Sequence, residues 1–120
     1  MSPSTFRALL WVIAVFTLVA GLVGMLPRKL VCQRLPLDRM DEAGWLFFRH
    51  WALLVLLCGL LLVWGALSPS VQPPLLLLVA GEKIGFALIV LRQRHTPLGR
   101  ALRPGAVADF FAALVLLAGA

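Results

Sequence analysis

The sequence predicts an all-α integral membrane protein, a bundle of four transmembrane helices. Hydrophobic residues make up 62% of the 120-residue chain and charged residues only 13%, whereas about a quarter of a typical soluble domain is charged. A soluble chain this short would need far more polar surface than these charges provide. Because each bilayer crossing takes about 20 apolar residues, four helices and their loops fill the chain. We therefore predict a single transmembrane domain over residues 1–120.

Apolar runs with clear boundaries place the first two helices at about 6–26 and 45–67. The first run has no charge between Leu9 and Leu26 and stops at Pro27, which favours a helix end. It is too long for the apolar core of a cleavable signal peptide. The second run has tryptophans near both ends, as membrane-interface aromatic belts do. Part of loop 1, the segment 27–43 between these helices, has the mixed composition of a short amphipathic segment on the membrane surface.

The third and fourth helices are predicted at about 74–92 and 103–120. The linker before the third helix, 68–74, is short and uncharged, so the second and third helices should form an antiparallel hairpin. Glu82 and Lys83 interrupt the third apolar run. Loop 3, the basic segment 92–105, precedes the fourth run, which is the shortest of the four.

Basic residues concentrate in the two long loops and predict the orientation of the chain. Loop 1 contains Arg28, Lys29, Arg34 and Arg39, and loop 3 contains Arg92, Arg94, Arg100 and Arg103. The positive-inside rule therefore puts both loops in the cytoplasm and both termini outside, in a bacterial inner (plasma) membrane. The net charge of +6 is explained by this signal and by attraction to anionic lipid. The bilayer is thus the expected partner, and a nucleic acid is not.

Five polar side chains within or near the apolar runs form a candidate intramembrane site. They are Arg49, His50, Glu82, Lys83 and Asp109. Such residues are rare in membrane spans and usually face the bundle interior. A rise of about 1.5 Å per residue puts Arg49 and Asp109 at matching depth near the cytoplasmic side, which suggests an ion pair. Alternatively, Arg49 extends to the lipid headgroups. His50 either faces the bundle or lies at the membrane interface beside Trp51.

Glu82 is the deepest of these residues, since it falls near the middle of the third run. A carboxyl group at that depth is either a proton or cation relay or a structural clamp between helices. It lies within Gly81-x-x-x-Gly85, a spacing that permits close helix packing. Ala20 and Gly24 on the first helix have the same spacing and are a candidate partner face.

Motifs for catalysis or cofactor binding are absent from the sequence. It contains no HExxH, CxxC or phosphate-binding glycine loop, and neither Cys32 nor Cys58 is predicted to be functional. His50 is the single histidine expected in the membrane, so one chain cannot provide a bis-histidine haem site. We predict no metal, no cofactor and, by default, no enzymatic activity of this chain alone.

Helices 2 and 3 resemble the small DoxX-like bacterial membrane proteins. The resemblance rests on Phe48-Arg49-His50-Trp51, on Gly59, Gly65-Ala66 and Pro69, and on Glu82-Lys83-Ile84-Gly85-Phe86, with Asp109 following in helix 4. It covers roughly residues 45–112. The resemblance implies a four-helix membrane fold, and the named DoxX proteins are linked to membrane redox chemistry.

Three functions are consistent with these observations. The leading hypothesis is an interaction or accessory subunit without catalysis, as a possible homodimer or part of a larger membrane complex. The first alternative is a small proton-coupled transporter that uses Glu82. The second, implied by the DoxX-like resemblance, is a quinone-linked membrane redox subunit.

Overall fold

The computed structural model describes residues 1–37 and 40–120, and these form an all-α bundle. The helices are α1 (Pro3–Gly24), α2 (Arg28–Arg34), α3 (Glu42–Leu67), α4 (Gln72–Arg92) and α5 (Pro97–Gly119). A 3-10 turn, Pro69–Val71, joins α3 to α4. In the described part of the chain, α1, α3, α4 and α5 are long and apolar enough to cross a membrane, which confirms the predicted fold class. Arg39, counted above in the orientation signal, lies outside the described residues.

Side-chain caps set the first residues of three helices. Oxygen atoms of Ser2, Asp41 and Thr96 accept hydrogen bonds from backbone amides three residues later, at 3.2, 2.7 and 2.9 Å. Each cap satisfies an amide that has no partner within the helix. As a result α1 and α3 begin about three residues before the positions predicted from hydrophobicity.

The largest difference from the prediction is the start of α5, which begins at Pro97 and not near residue 103. Thr96 caps this helix and Pro97 occupies its first turn, a position where proline lacks only an amide that would be unpaired anyway. The internal Pro104, which falls where predicted loop 3 and the predicted fourth helix overlap, lies inside α5. A transmembrane helix can accommodate the one hydrogen bond that such a proline removes.

Helix α2 lies in loop 1, where the sequence predicted a short amphipathic surface segment but not a helix. Its seven residues follow Pro27, and Val31 is fully buried while Lys29 and Arg34 are exposed. Helix α2 therefore packs Val31 against the bundle and keeps its charged side chains at the surface, Arg34 at the edge of the cavity described below.

The bundle consists of two closely packed helix pairs, α1 with α3 and α4 with α5, and the pairs meet mainly between α3 and α4. Glycines permit the close approach of α1 and α3. A Cβ atom on Gly21 would lie 2.6 Å from the backbone of Leu56, and one on Gly59 would lie 2.8 Å from Leu18. A Cβ atom on Gly24 would likewise lie 2.6 Å from the Cβ atom of Ala52.

Gly81 and Gly85, predicted to be the site of close packing, do not have this role within the chain. A Cβ atom at either position would meet no atom within 4 Å, because Gly81 is on the exposed side of α4. Ala20, which was predicted to share a packing face with Gly24, lines a cavity instead.

The two halves of the bundle differ in packing. The continuous core lies in the half that contains both termini, and it consists of Leu10, Ile13, Ala14, Leu62, Ala66, Leu76, Val79, Ala80, Ala113 and Leu116. The end of α5 reaches α1 here, since a Cβ atom on Gly119 would collide with the ring of Phe6. The opposite half, bounded by α2 and the α4–α5 connection, contains a partly open cavity between the helices.

Candidate functional site in the bundle interior

A cavity of about 240 Å³ lies between the helices in the less tightly packed half of the bundle. Every helix contributes to its wall, including Ala20 of α1, Val31 of α2, Trp51 of α3, Phe86 of α4 and Gly105 of α5. Thr17 also lines it, but its hydroxyl group donates to the carbonyl of Ile13 at 2.7 Å. The wall is therefore largely apolar, and its charged groups stand out.

Lys83 and Asp109 form an ion pair in the wall of this cavity. Lys83 Nζ donates to Asp109 Oδ1 at 2.9 Å, and the two side chains are 2% and 14% exposed. Lys83 follows Ala80 by three residues and precedes Val90 by seven, so it continues the buried face of α4. The pair links α4 to α5 through two buried charges.

The ion pair does not use all the hydrogen-bonding capacity of the lysine. A lysine ammonium group has three N–H donors, and within the described residues Asp109 is the one acceptor for Lys83. Both side chains line the cavity, so a ligand bound there would lie next to the ion pair. Arg34 adds a third charge to the wall, from the α2 end.

The predicted ion pair between Arg49 and Asp109 is wrong. Arg49 Nη1 donates to the carbonyl oxygen of Gly24 at 3.0 Å, and its guanidinium group lies 4.5 Å from the ring centroid of Trp45. The reason is depth. Because α5 begins about six residues early and α3 only about three, Asp109 lies about 4–5 Å further into the bundle, relative to Arg49, than the predicted starts implied. That position brings it level with Lys83.

An aromatic row runs from the first turn of α3 to the cavity. Trp45 stacks on Phe48, Phe48 packs against Trp51, and Trp51 stacks on Phe86 of α4, with centroid distances of 5.4, 5.5 and 5.4 Å. The last three of these side chains line the cavity. Sequence reasoning interpreted Trp45 and Trp51 as interface markers and missed Phe86 as a cavity residue, although it follows Lys83 by three residues and so lies on the same helix face.

Glu82 and His50 lie apart from the cavity. Glu82 does not line it, and its Oε2 atom is buried with no hydrogen-bond partner among the described residues. His50 is exposed on α3. The five predicted site residues therefore separate into the Lys83–Asp109 pair at the cavity, Arg49 at the end of α1, an isolated Glu82 and an exposed His50.

Comparison with known proteins provides no relative. No protein-family model matches the chain, and no curated protein or solved structure matches it either. In the part of the chain that the structure describes, no group of three or more His, Cys, Asp or Glu side chains is placed to hold a metal ion. The cavity and its ion pair are the features that indicate a function.

Proposed function

We propose that the protein is a small multi-pass membrane accessory protein that binds a lipophilic molecule in the cavity between its helices. One observation supports this most directly, namely a largely apolar cavity whose wall contains the buried Lys83–Asp109 pair. Cavities that combine apolar walls with a few convergent polar groups are typical of small-molecule sites. Binding, and not a catalytic step, is what these residues supply.

The cavity favours a flat ring with a hydrogen-bond acceptor. At about 240 Å³ it is larger than an apolar protein cavity of about 150 Å³ that holds benzene. Phe48, Trp51 and Phe86 provide aromatic wall surface on which a ring can stack. Lys83 provides the donor for a carbonyl oxygen. A quinone headgroup combines both features, and quinone binding agrees with the redox role implied by the DoxX-like resemblance.

A cavity-filling variant tests the proposal. Gly105 lines the cavity and a Cβ atom there meets nothing within 4 Å, so the side chain of Gly105→Leu can enter the space. Gly81→Leu is the matched control, because Gly81 is equally open but does not line the cavity. Menadione added to detergent-purified protein should quench tryptophan fluorescence, saturably, in the wild type and in Gly81→Leu. Equal saturable quenching in Gly105→Leu would contradict the proposal.

A second candidate function, an intramembrane proton or cation carrier, is favoured by the isolated Glu82. Its buried, unpartnered Oε2 atom is the kind of group that carriers use at the membrane midplane. Glu82→Gln preserves shape and removes the charge. If the protein is a carrier, proteoliposomes loaded with a pH-sensitive dye should show wild-type flux that this variant abolishes. Absence of flux from well-folded wild-type protein argues for a structural role.

We further propose that the protein resides in a bacterial inner membrane with loops 1 and 3 in the cytoplasm and both termini outside. The basic residues of the two loops support this orientation. A reporter active only in the periplasm should work after Ala120 and fail near Pro97. The reverse pattern would contradict the orientation.

A further inference from the structure

A second cavity, of about 650 Å³, lies between α4 and α5 and shares no lining residue with the first. Its wall includes large apolar side chains that are roughly half exposed, at 47–61%: Leu88, Leu91, Val107, Phe110 and Phe111. It is therefore a groove on the outer surface of the helix pair, and we call it the α4–α5 groove.

Two guanidinium groups line the same groove, those of Arg94 and Arg103. Arg94 directly follows the last turn of α4 and Arg103 lies in the second turn of α5, so the positive charge is at the end where α4 connects to α5. Both side chains are exposed, and neither forms an ion pair with a carboxylate of the described residues. Arg94 Nη1 donates to the carbonyl of Leu91 at 3.0 Å, which leaves its other N–H donors for an external anion.

We infer that the α4–α5 groove binds one anionic phospholipid. The phosphate lies against Arg94 and Arg103, and an acyl chain follows the groove toward Phe110. Arginine presents paired donors that match phosphate oxygens, and basic pockets between transmembrane helices are recurrent sites for anionic headgroups. The seven-residue step from Arg103 to Phe110 corresponds to about 10 Å along the helix, which provides apolar surface below the charge.

The two parts of the groove together select for the phospholipid. A lipid with a zwitterionic headgroup gains the apolar contacts but little from the arginines. Inorganic phosphate can bind the two arginines but makes no apolar contacts with the groove. An anionic phospholipid uses both, and at the membrane surface each arginine is expected to contribute about fivefold in affinity, or roughly 30-fold for the two.

Native mass spectrometry of the full chain in mild detergent tests this inference, with phosphatidylglycerol and phosphatidylcholine of identical acyl chains as probes. The test variant is Arg94→Gln/Arg103→Gln. The matched control is Arg92→Gln/Arg100→Gln, which removes the same charge from the same end of the bundle at positions that do not line the groove. We expect the test variant to lose roughly 30-fold in phosphatidylglycerol affinity and the control to retain it. Equal losses in both variants, or equal binding of the two lipids by the wild type, would overturn the inference.

A groove-filling variant separates a phospholipid from free phosphate without altering charge. Ala87 lines the apolar part of the groove, so Ala87→Phe should displace the acyl chain while both arginines remain. Loss of phosphatidylglycerol binding in this variant supports the bound lipid. Full phosphatidylglycerol binding in Ala87→Phe, or a wild-type affinity for inorganic phosphate equal to that for the lipid, shows that the arginines alone hold an anion and overturns it. Helical circular dichroism and gel filtration identify any variant that fails to fold.

Discussion

Breaking the Lys83–Asp109 pair should cost more than removing it. Lys83→Met leaves the carboxylate of Asp109 without its partner, and Asp109→Leu does the same to an ammonium group that is 2% exposed. Removing one member of a buried ion pair typically costs 3–5 kcal/mol, whereas replacing both members by apolar groups is often tolerated. The double variant is therefore expected to be more stable than either single variant.

The geometry sets the magnitude of this effect. Two unit charges separated by the observed 2.9 Å attract by about 6 kcal/mol at an effective dielectric constant of about 20. Desolvation offsets part of that attraction, and Asp109 retains 14% exposure, so we expect about 3 kcal/mol for each single variant. Lost packing in the double variant should cost about 2 kcal/mol, which leaves a coupling energy of about 4 kcal/mol.

Equilibrium unfolding in mixed micelles with increasing dodecyl sulfate, followed by tryptophan fluorescence and helical circular dichroism, measures all four free energies of unfolding. The control cycle combines Asp109→Leu with Arg49→Met, the pairing suggested by the sequence. Because Arg49 contacts Gly24 and Trp45 instead, the control cycle should show a coupling energy near zero. The reasoning is refuted if the Lys83–Asp109 coupling is below about 1 kcal/mol or if the Arg49–Asp109 coupling is the larger.

Three further predictions concern the packing of the bundle. Gly21→Ala should lower the free energy of unfolding by about 2 kcal/mol, because the added Cβ atom would lie 2.6 Å from the backbone of Leu56. Gly81→Ala should be neutral or slightly stabilising. Equal losses of thermal stability in the two variants would contradict the packing described for Gly21. Arg49→Met should lower the free energy of unfolding by about 1–2 kcal/mol, because it removes the hydrogen bond to the carbonyl of Gly24. Arg49→Lys should recover part of that loss. If Arg49→Met unfolds in micelles like the wild type, the contact with Gly24 does not contribute to stability. If a homodimer forms through the outer face of α4, oxidation should crosslink two chains of the Gly81→Cys variant to each other. The Gly21→Cys variant should not form this crosslink.

The four membrane helices could be predicted because hydrophobicity and length are properties of local sequence. The apolar runs and their proline or basic boundaries locate α1, α3 and α4 to within a few residues. The start of α5 could not be located in this way, since Thr96 and Pro97 extend the helix through a polar segment that contains arginines. A hydrophobicity pattern contains no information about a capping hydrogen bond, so it does not predict where a capped helix begins.

The partner of each polar residue could not be predicted, because pairing depends on depth and rotation across several helices. Since α5 begins earlier than predicted by about three residues more than α3 does, Asp109 is about 4–5 Å deeper relative to Arg49 than expected, and its partner is Lys83. Lys83 itself carried a usable signal, since it lies on the apolar face defined by Ala80 and Val90. Gly81 and Gly85 had the spacing of a packing motif, but the contacting glycines are Gly21 and Gly59.

A buried ion pair is weak evidence for stability, because apolar residues of similar volume often serve as well. In this bundle the pair lies in the wall of the cavity and not among the residues of the continuous apolar core near the termini. The double variant can therefore show whether the pair contributes to stability, to ligand binding or to both. If Lys83→Met/Asp109→Leu folds with the modest loss expected and no longer shows saturable quenching by menadione, the charges are needed for the ligand and not for the fold. If quenching persists, the apolar wall alone recognises the guest, and the role assigned to Lys83 fails while the cavity proposal stands.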